Sequence, residues 1–541
     1  MKSPHLVPLV LAIFLGIVGS ISGVTSASAN GCINPAAGTI SDPYLIQTPA
    51  NLSCLVNNDS YYWGAGKYFK QTADLDMAQY PWTTGIGTAG FTFEGSFDGQ
   101  GFSISNLAIT SSSGDSLGLF GKVGSATVIS DVHLTNASVT VTGSGIAQRV
   151  GLLVGYSPGT VEDSSAEGTI SITRAGNVHE VGGLVGNSNY GNIDRSTSDV
   201  DITITTTNPG VSNNAYIGHT GGLVGFHEGQ PLTQSSATGS INLTSYMWIE
   251  NIGGFAGSIA SANVSNSYTT SSVSVSAQSG LSGIGGFAGK IRGATIEKSF
   301  TASTLTRSTA SGGQNYIGGF VGQLDSMQSS TVRNSTWNSE TTGLTGTGFG
   351  SNTSGNTITS VVGITTVQNK TFATFGGTTL LSSAWDIYNG FESTPVKIWG
   401  ICGGSSFPFL RTATITNPCP VASVNLSSGN VLAGGTLTLS GTGYQSNENI
   451  RIELHSNPVI LATVQANGSG SFSTSVVIPS NTSAGSHNIV VYALGSSTST
   501  STIIVVEAAL ANTGYEQMPL ILIATLLLLS GSVLVMRRKS I

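Results

Sequence analysis

The sequence predicts an all-β protein: a parallel β-helix with N- and C-terminal caps, then a β-sandwich, then one transmembrane helix. Three observations carry this. A glycine-bounded apolar phrase returns at a near-constant interval through the middle of the chain. Short segments alternate apolar and polar residues, the signature of half-buried strands, and no part of the repeat region has a convincing helical period. The last residues form an apolar run closed by cations.

The clearest copy of the phrase is Gly182-Gly183-Leu184-Val185-Gly186. Its closing glycine recurs at Gly121, Gly155, Gly225, Gly257, Gly289 and Gly322. Successive differences along the series are 34, 31, 39, 32, 32 and 33 residues. A period of this length belongs to solenoids and propellers. A propeller wants four strands per blade and a recurring Trp or Asp signature, and neither is visible. Each repeat is therefore expected to form one rung. Leu119, Leu153, Leu184, Leu223, Phe255, Phe287 and Phe320 should stack inside, because a rung buries its apolar face only against its neighbours. The smaller Val154, Val185, Val224, Ala256, Ala288 and Val321 either face outward or line a second layer. Ile193 lies seven residues past its glycine, and Val161, Val264 and Ile296 hold the equivalent place. A serine follows three residues later in Ser196, Ser267 and Ser299, and Ser165 and Ser235 are assigned to the same column. An internal hydroxyl ladder is the expected role, since paired strands set equivalent residues above one another.

Seven copies in register, between Ser116 and Gly343, resemble the GLUG motif of bacterial surface proteins, many of them adhesins. Gly118–Gly121 lacks the doubled glycine, and Leu152 replaces the second glycine in the next copy. The resemblance implies a surface-binding role.

Composition bounds the rest. Only 8% of the 541 residues are charged, against about 25% in ordinary soluble proteins. The net charge of −7 leaves no basic footprint for nucleic acid. Residues 1–29 read as a signal peptide: Lys2, an apolar stretch, then the small-x-small site Ala27-Ser28-Ala29. Residues 30–116 are the N-terminal cap and first rungs. Cys32 and Cys54 are expected to form a disulfide there, because the chain is exported. Asp74, Asp76, Glu94 and Asp98 are the densest acidic group. They lack calcium-loop spacing and read as turn carboxylates.

Residues 117–343 are the repeats. Asp163, Asp194 and Glu297 each lie eight residues past a closing glycine, with Arg195 and Lys298 beside the last two. A glycosidase needs carboxylates that converge in a groove, whereas these recur with the repeat and alternate with cations. Histidines are few and lack metal-ligand spacing. No catalytic residue, metal or cofactor is expected.

Residues 344–419 are read as the C-terminal cap, with Trp337, Trp385 and Trp399 covering the last apolar layer and a Cys402–Cys419 disulfide pinning it. The segments around Trp385-Asp386-Ile387, Trp399-Gly400-Ile401 and Phe407-Pro408-Phe409-Leu410 resemble the close of GLUG-type domains. Residues 420–507 hold about seven short alternating strands, which read as a β-sandwich. The module resembles the immunoglobulin-like stalk modules of Gram-positive surface proteins.

Residues 508–541 form a three-part sorting signal with a transmembrane helix and basic tail. Leu510-Ala511-Asn512-Thr513-Gly514 precedes the apolar run, and Arg537-Arg538-Lys539 would hold its end inside the membrane. The pentapeptide resembles the LPXTG signals cut by sortases, with Ala in place of Pro. That resemblance implies thioester formation at Thr513, loss of Gly514 onward, and attachment of Thr513 to peptidoglycan. The expected protein is a non-enzymatic, wall-anchored adhesin of a Gram-positive bacterium, with sortase as processing partner and a glycan or cell-surface ligand. The alternatives are a wall-tethered carbohydrate-active enzyme and a purely structural coat.

Overall fold

The structure, a computed structural model, describes residues 33, 36–57, 62–88, 90–208, 215–309, 313–353, 355–389, 397–403, 405–411, 419, 421–445, 447–455, 457–494 and 498–508. The expected signal peptide, Cys32, the expected sorting pentapeptide, the C-terminal apolar run and the basic tail lie outside these residues. Two compact units emerge. The first runs through Asn369 and includes Ala373–Asp386; the second holds Lys370–Phe372 and the chain from Ile387.

The first unit is a parallel β-solenoid of about nine turns. Its three sheets contain 23, 7 and 8 strands. In the third sheet Phe120, Val154, Val185, Val224, Ala256, Ala288, Val321 and Phe349 pair in that order, so each repeat advances the chain by one turn. The expected interior column is present: Leu184, Leu223, Phe255, Phe287 and Phe320 are fully buried. Phe255 and Phe287 stack at 4.6 Å, and Phe287 and Phe320 at 5.0 Å. The smaller neighbours are fully buried as well. The outward alternative is thereby excluded, and they form a second layer.

The repeated phrase is a tight turn from the second sheet into the third, and its glycines are steric requirements. A Cβ on Gly182 would lie 2.1 Å from the Val185 carbonyl oxygen and 2.6 Å from the Gly225 nitrogen. On Gly183 it would meet Ser198 Oγ at 2.1 Å, and on Gly186 the backbone of Arg149 and Val150 at 2.5 Å. The sheets approach backbone to backbone, which only glycine permits.

A second corner divides the first sheet. Asp131, Asp163, Arg195, Gln234, Asn266, Lys298 and Asn334 occupy it on successive turns, with φ between +45° and +53°. Non-glycine residues enter this left-handed region rarely. Here one such residue per turn redirects the strand. The serine behind the corner is anchored inside. Ser164, Ser196, Ser235, Ser267, Ser299 and Ser335 are buried. Each hydroxyl donates to the carbonyl two residues before it at 2.7–3.0 Å. Each also accepts the amide of the rung before it, at 3.1–3.3 Å. The ladder expected from the sequence exists, with Ser164 in place of Ser165. Val161 pairs with Ile193, which sets the register, and Ser165 instead bonds His133 Nδ1 at 2.8 Å.

Tyr44–Ile46 already pairs with Tyr68–Gln71, so stacking begins within residues 30–116. The helix Pro49–Asn57 buries Leu52 and Leu55, and Trp63 Nε1 donates to the Leu55 carbonyl at 2.8 Å. At the other end Phe349–Asn352 and Thr357–Ile364 add further strands to the stack. Phe375 and Trp385 then cover Phe300, at ring distances of 6.4 and 6.3 Å, and Trp385 Nε1 donates to the Asn334 carbonyl. Trp337 is buried in the solenoid core.

Trp399 and the bonded pair Cys402–Cys419, 5.4 Å apart at Cα, belong to the second unit. The disulfide thus forms as expected but staples that unit; the solenoid's end is covered by 373–386. In the same unit two sheets of three and five strands share one buried apolar cluster, including Leu437, Leu439, Ile450, Ile452, Ile489 and Val491. Among the described residues no helix is long and apolar enough to cross a membrane.

Candidate functional site

Two clusters of charged residues stand out on the solenoid. At the corner of the first sheet, Glu162 pairs with Asp194, so Asp163 lies level with Arg195. Arg195 grips Asp163 through two bonds, Nε to Oδ1 at 2.7 Å and Nη2 to Oδ2 at 2.6 Å. It also binds Asp194, and Glu162 lies 3.7 Å away. Thr233 Oγ1 donates to Asp194 from the following turn. The Arg195 pKa is pushed up, chiefly by its bonds to Asp163. Farther along, Arg333 Nε reaches Glu297 at 2.5 Å. The expected common face for Asp163, Asp194 and Glu297 is corrected by one residue: Glu162, Asp194 and Glu297 share the column. Counting from the glycine misplaces Asp163 as it misplaces Ser165, because that repeat is a residue shorter between its glycine and Val161. Chemically the cluster links turns through charge-assisted bonds.

The strands of the second and third sheets that flank their connecting turn carry a mixed strip along the stack. Here too one residue per turn is left-handed, at Ser116, Arg149, Glu180, His219, Asn251, Gly283 and Tyr316. Arg149 lies 3.7 Å from Asp115 and 3.4 Å from Glu180. The Tyr156 ring is flanked by Arg149 at 5.2 Å and Lys122 at 5.4 Å. His179 stacks on Tyr216, with planes 5° apart. His219 Nδ1 shares a hydrogen bond with Ser258 Oγ at 2.7 Å, and burial pushes its pKa down to about 4. Lys290 bonds Asp325 at 2.8 Å, which holds that carboxyl below its usual range. Trp248 and Tyr316 are exposed. The strip offers aromatic faces, cations and carboxylates side by side, a surface suited to binding a polar partner. It was missed in the sequence because its members fall at positions where the repeat tolerates any residue. The signal that could have found them is the turn position two residues before each Gly-Gly pair, as in Glu180 and Asn251.

His227 is wholly buried on the inner side of the third sheet. Its Nε2 donates to the Gln230 carbonyl at 2.8 Å, and burial holds its pKa down to about 4. Among the described residues no group of three or more His, Cys, Asp or Glu is placed to hold a metal ion. The acidic residues of the first rungs bond the chain itself. Asp74 accepts from the Ser103 amide at 2.8 Å, and Asp76 accepts from Asn106 Nδ2 at 2.8 Å. Of the other expected site residues, Cys54 is disulfide-bonded, while its expected partner Cys32, together with Leu510 to Gly514 and Arg537 to Lys539, falls outside the described residues.

No protein-family model matches the chain. It is 35% identical over 167 residues to halomucin of Haloquadratum walsbyi, covering 29% of this chain and 2% of that protein. It is 33% identical over 135 residues to a Gly-rich membrane protein of Evansella cellulosilytica, covering 24% of this chain and 15% of that one. The matched stretches thus span a small part of both relatives.

Proposed function

We propose that this chain is a secreted, cell-wall-anchored surface protein whose solenoid is a non-catalytic binding head, an adhesin of the GLUG-repeat kind. The observation that carries the reading is the register. Turn after turn pairs in the same register, which stacks the outward Ser and Thr of the first sheet in columns and so displays one chemistry many times. Such an array favours multivalent attachment, where weak contacts sum to avidity. The second unit, with its two sheets on one core, acts as an immunoglobulin-like spacer. Leu510 to Gly514 serve as the sortase signal, with Thr513 joined to peptidoglycan after the apolar run has halted in the membrane. The names of the two relatives, a halomucin and a membrane protein, fit a place at the cell surface.

The carboxylates of the Arg195 cluster are taken up in bonds that link turns, which supports a binding role over a hydrolytic one. The test is attachment of cells displaying the full chain, against cells displaying it without residues 117–343, to glycan-coated and cell-coated surfaces. The expected result is attachment that requires the solenoid. Equal attachment by both would contradict the reading, and release of shortened glycan would point to an enzyme.

A further inference from the structure

The outer face of the first sheet is a lattice of hydroxyls. Three outward columns cross six turns: Ser138, Thr169, Asp201, Ser240, Ser272 and Thr304; Thr140, Ser171, Thr203, Asn242, Ser274 and Thr306; and Thr142, Thr173, Thr205, Thr244, Ser276 and Ser308. Asp201 is the only charged residue among them, and Ser240 Oγ donates to it at 2.7 Å. A groove of about 510 Å³ runs along the edge of this lattice, parallel to the stack. One wall is Thr244, Ser276 and Ser308 from the third column. The other is Thr207, Tyr246 and Gln278. Thr206 and Ser245 form a buried floor, bonded to each other at 3.1 Å and both to the Ala215 carbonyl. No lining residue is charged.

We propose that this groove binds an uncharged, unbranched polysaccharide laid along the stacking axis. The proposal rests on the surface-binding reading and gives it a site and a ligand class. The chemistry points one way. Hydroxyls on one wall, and the Thr207 hydroxyl and Gln278 amide on the other, exchange hydrogen bonds with sugar hydroxyls, and the half-buried Tyr246 offers a ring face to the apolar face of a sugar. The groove offers an anionic polymer no cation. On the wall of Thr244, Ser276 and Ser308 the hydroxyls repeat at the spacing of paired strands, about 4.8 Å, so successive sugars of an extended chain meet equivalent groups on that side. The two relatively rigid faces cost little ordering on binding.

The test uses intact cells displaying the full chain and three fluorescent probes: cellohexaose, laminarihexaose and oligogalacturonate. Thr244→Arg and Ser276→Arg fill the groove at exposed positions. Ser171→Arg, on the same sheet face but outside the groove, is the control. The expected result is binding of a neutral probe that falls at least tenfold in both groove variants and is unchanged in the control. Circular dichroism of the purified variants should match that of the parent chain. Three results would overturn the proposal: binding unchanged by Thr244→Arg in a folded protein, loss equal in Ser171→Arg, or preference for oligogalacturonate. Solenoid-dependent attachment that no neutral probe inhibits would sink the groove and leave the surface-binding reading standing. Absence of any solenoid-dependent attachment would remove both.

Discussion

The amide of Ser196 donates to the hydroxyl of Ser235 at 3.1 Å, across 39 residues of sequence and one turn of the solenoid. Ser235 in turn donates to the Thr233 carbonyl at 2.8 Å. Each ladder serine therefore satisfies two backbone groups at a corner where the chain leaves its regular pairing. An amide buried without a partner costs about 1–3 kcal/mol. Ser267→Ala strands the Ser235 amide, while the Ser265 carbonyl keeps the bond it accepts from the Gln234 amide, and the change should destabilise the solenoid by about 2 kcal/mol. Ser165→Ala, beside the ladder, should cost about 0.5 kcal/mol or less. Urea unfolding of the purified chains measures both, and equal losses would mean the ladder adds nothing.

The glycines of the turn phrase predict a sharper contrast. A Cβ on Gly225 would lie 2.5 Å from the Glu180 carbonyl carbon, the Val181 nitrogen and the Gly186 oxygen. These are backbone atoms of the neighbouring turn and cannot rotate away. Gly225→Ala should cost about 3 kcal/mol by forcing the sheets apart. Gly64→Ala, where a Cβ meets nothing within 4 Å, should change stability by about 0.5 kcal/mol at most. Melting temperatures of the two variants provide the comparison.

His227 makes stability depend on pH. In the folded chain it takes a proton only near pH 4, whereas unfolded histidine does so near 6.5. Between those values the unfolded state binds more protons, so stability rises with pH through that window. The contribution is complete above about pH 6.5 and is lost as pH falls toward 4, for a total of roughly 3 kcal/mol. His227→Gln should flatten this part of the pH profile. A profile unchanged between pH 4 and 6.5 would show that the buried imidazole is not responsible.

The solenoid was legible in the sequence because its steric demands repeat. A glycine facing a backbone has no substitute, so Gly182 and Gly186 recur, and the interior column from Leu184 to Phe320 recurs with them. The corners were less legible. Asp163, Arg195, Asn266 and Lys298 share a left-handed conformation while sharing no side-chain chemistry, so their common role left no pattern to count. The assignments of Ser165 and Asp163 show the cost of counting from the glycine when a repeat loses one residue before its next strand. The lattice on the first sheet was visible only as an abundance of Ser and Thr until pairing set Thr205, Thr244 and Ser276 in one row. Trp399 was read as part of the solenoid's cap on its aromatic character, which does not say which core a residue joins.

The proposed wall attachment is tested most directly by mass spectrometry of wall fragments released with a muramidase. The pentapeptide stands five residues before the apolar run, from Tyr515 to Pro519, and the proposal has it presented just outside a membrane that the run of about 17 residues would span. The account predicts a C-terminal peptide that ends at Thr513 and carries the mass of a peptidoglycan stem. It predicts that Thr513→Ala leaves the chain in the membrane fraction with its tail intact. A C-terminal peptide running unbroken through Gly514 in wall-associated protein would contradict the account and leave a membrane anchor in its place.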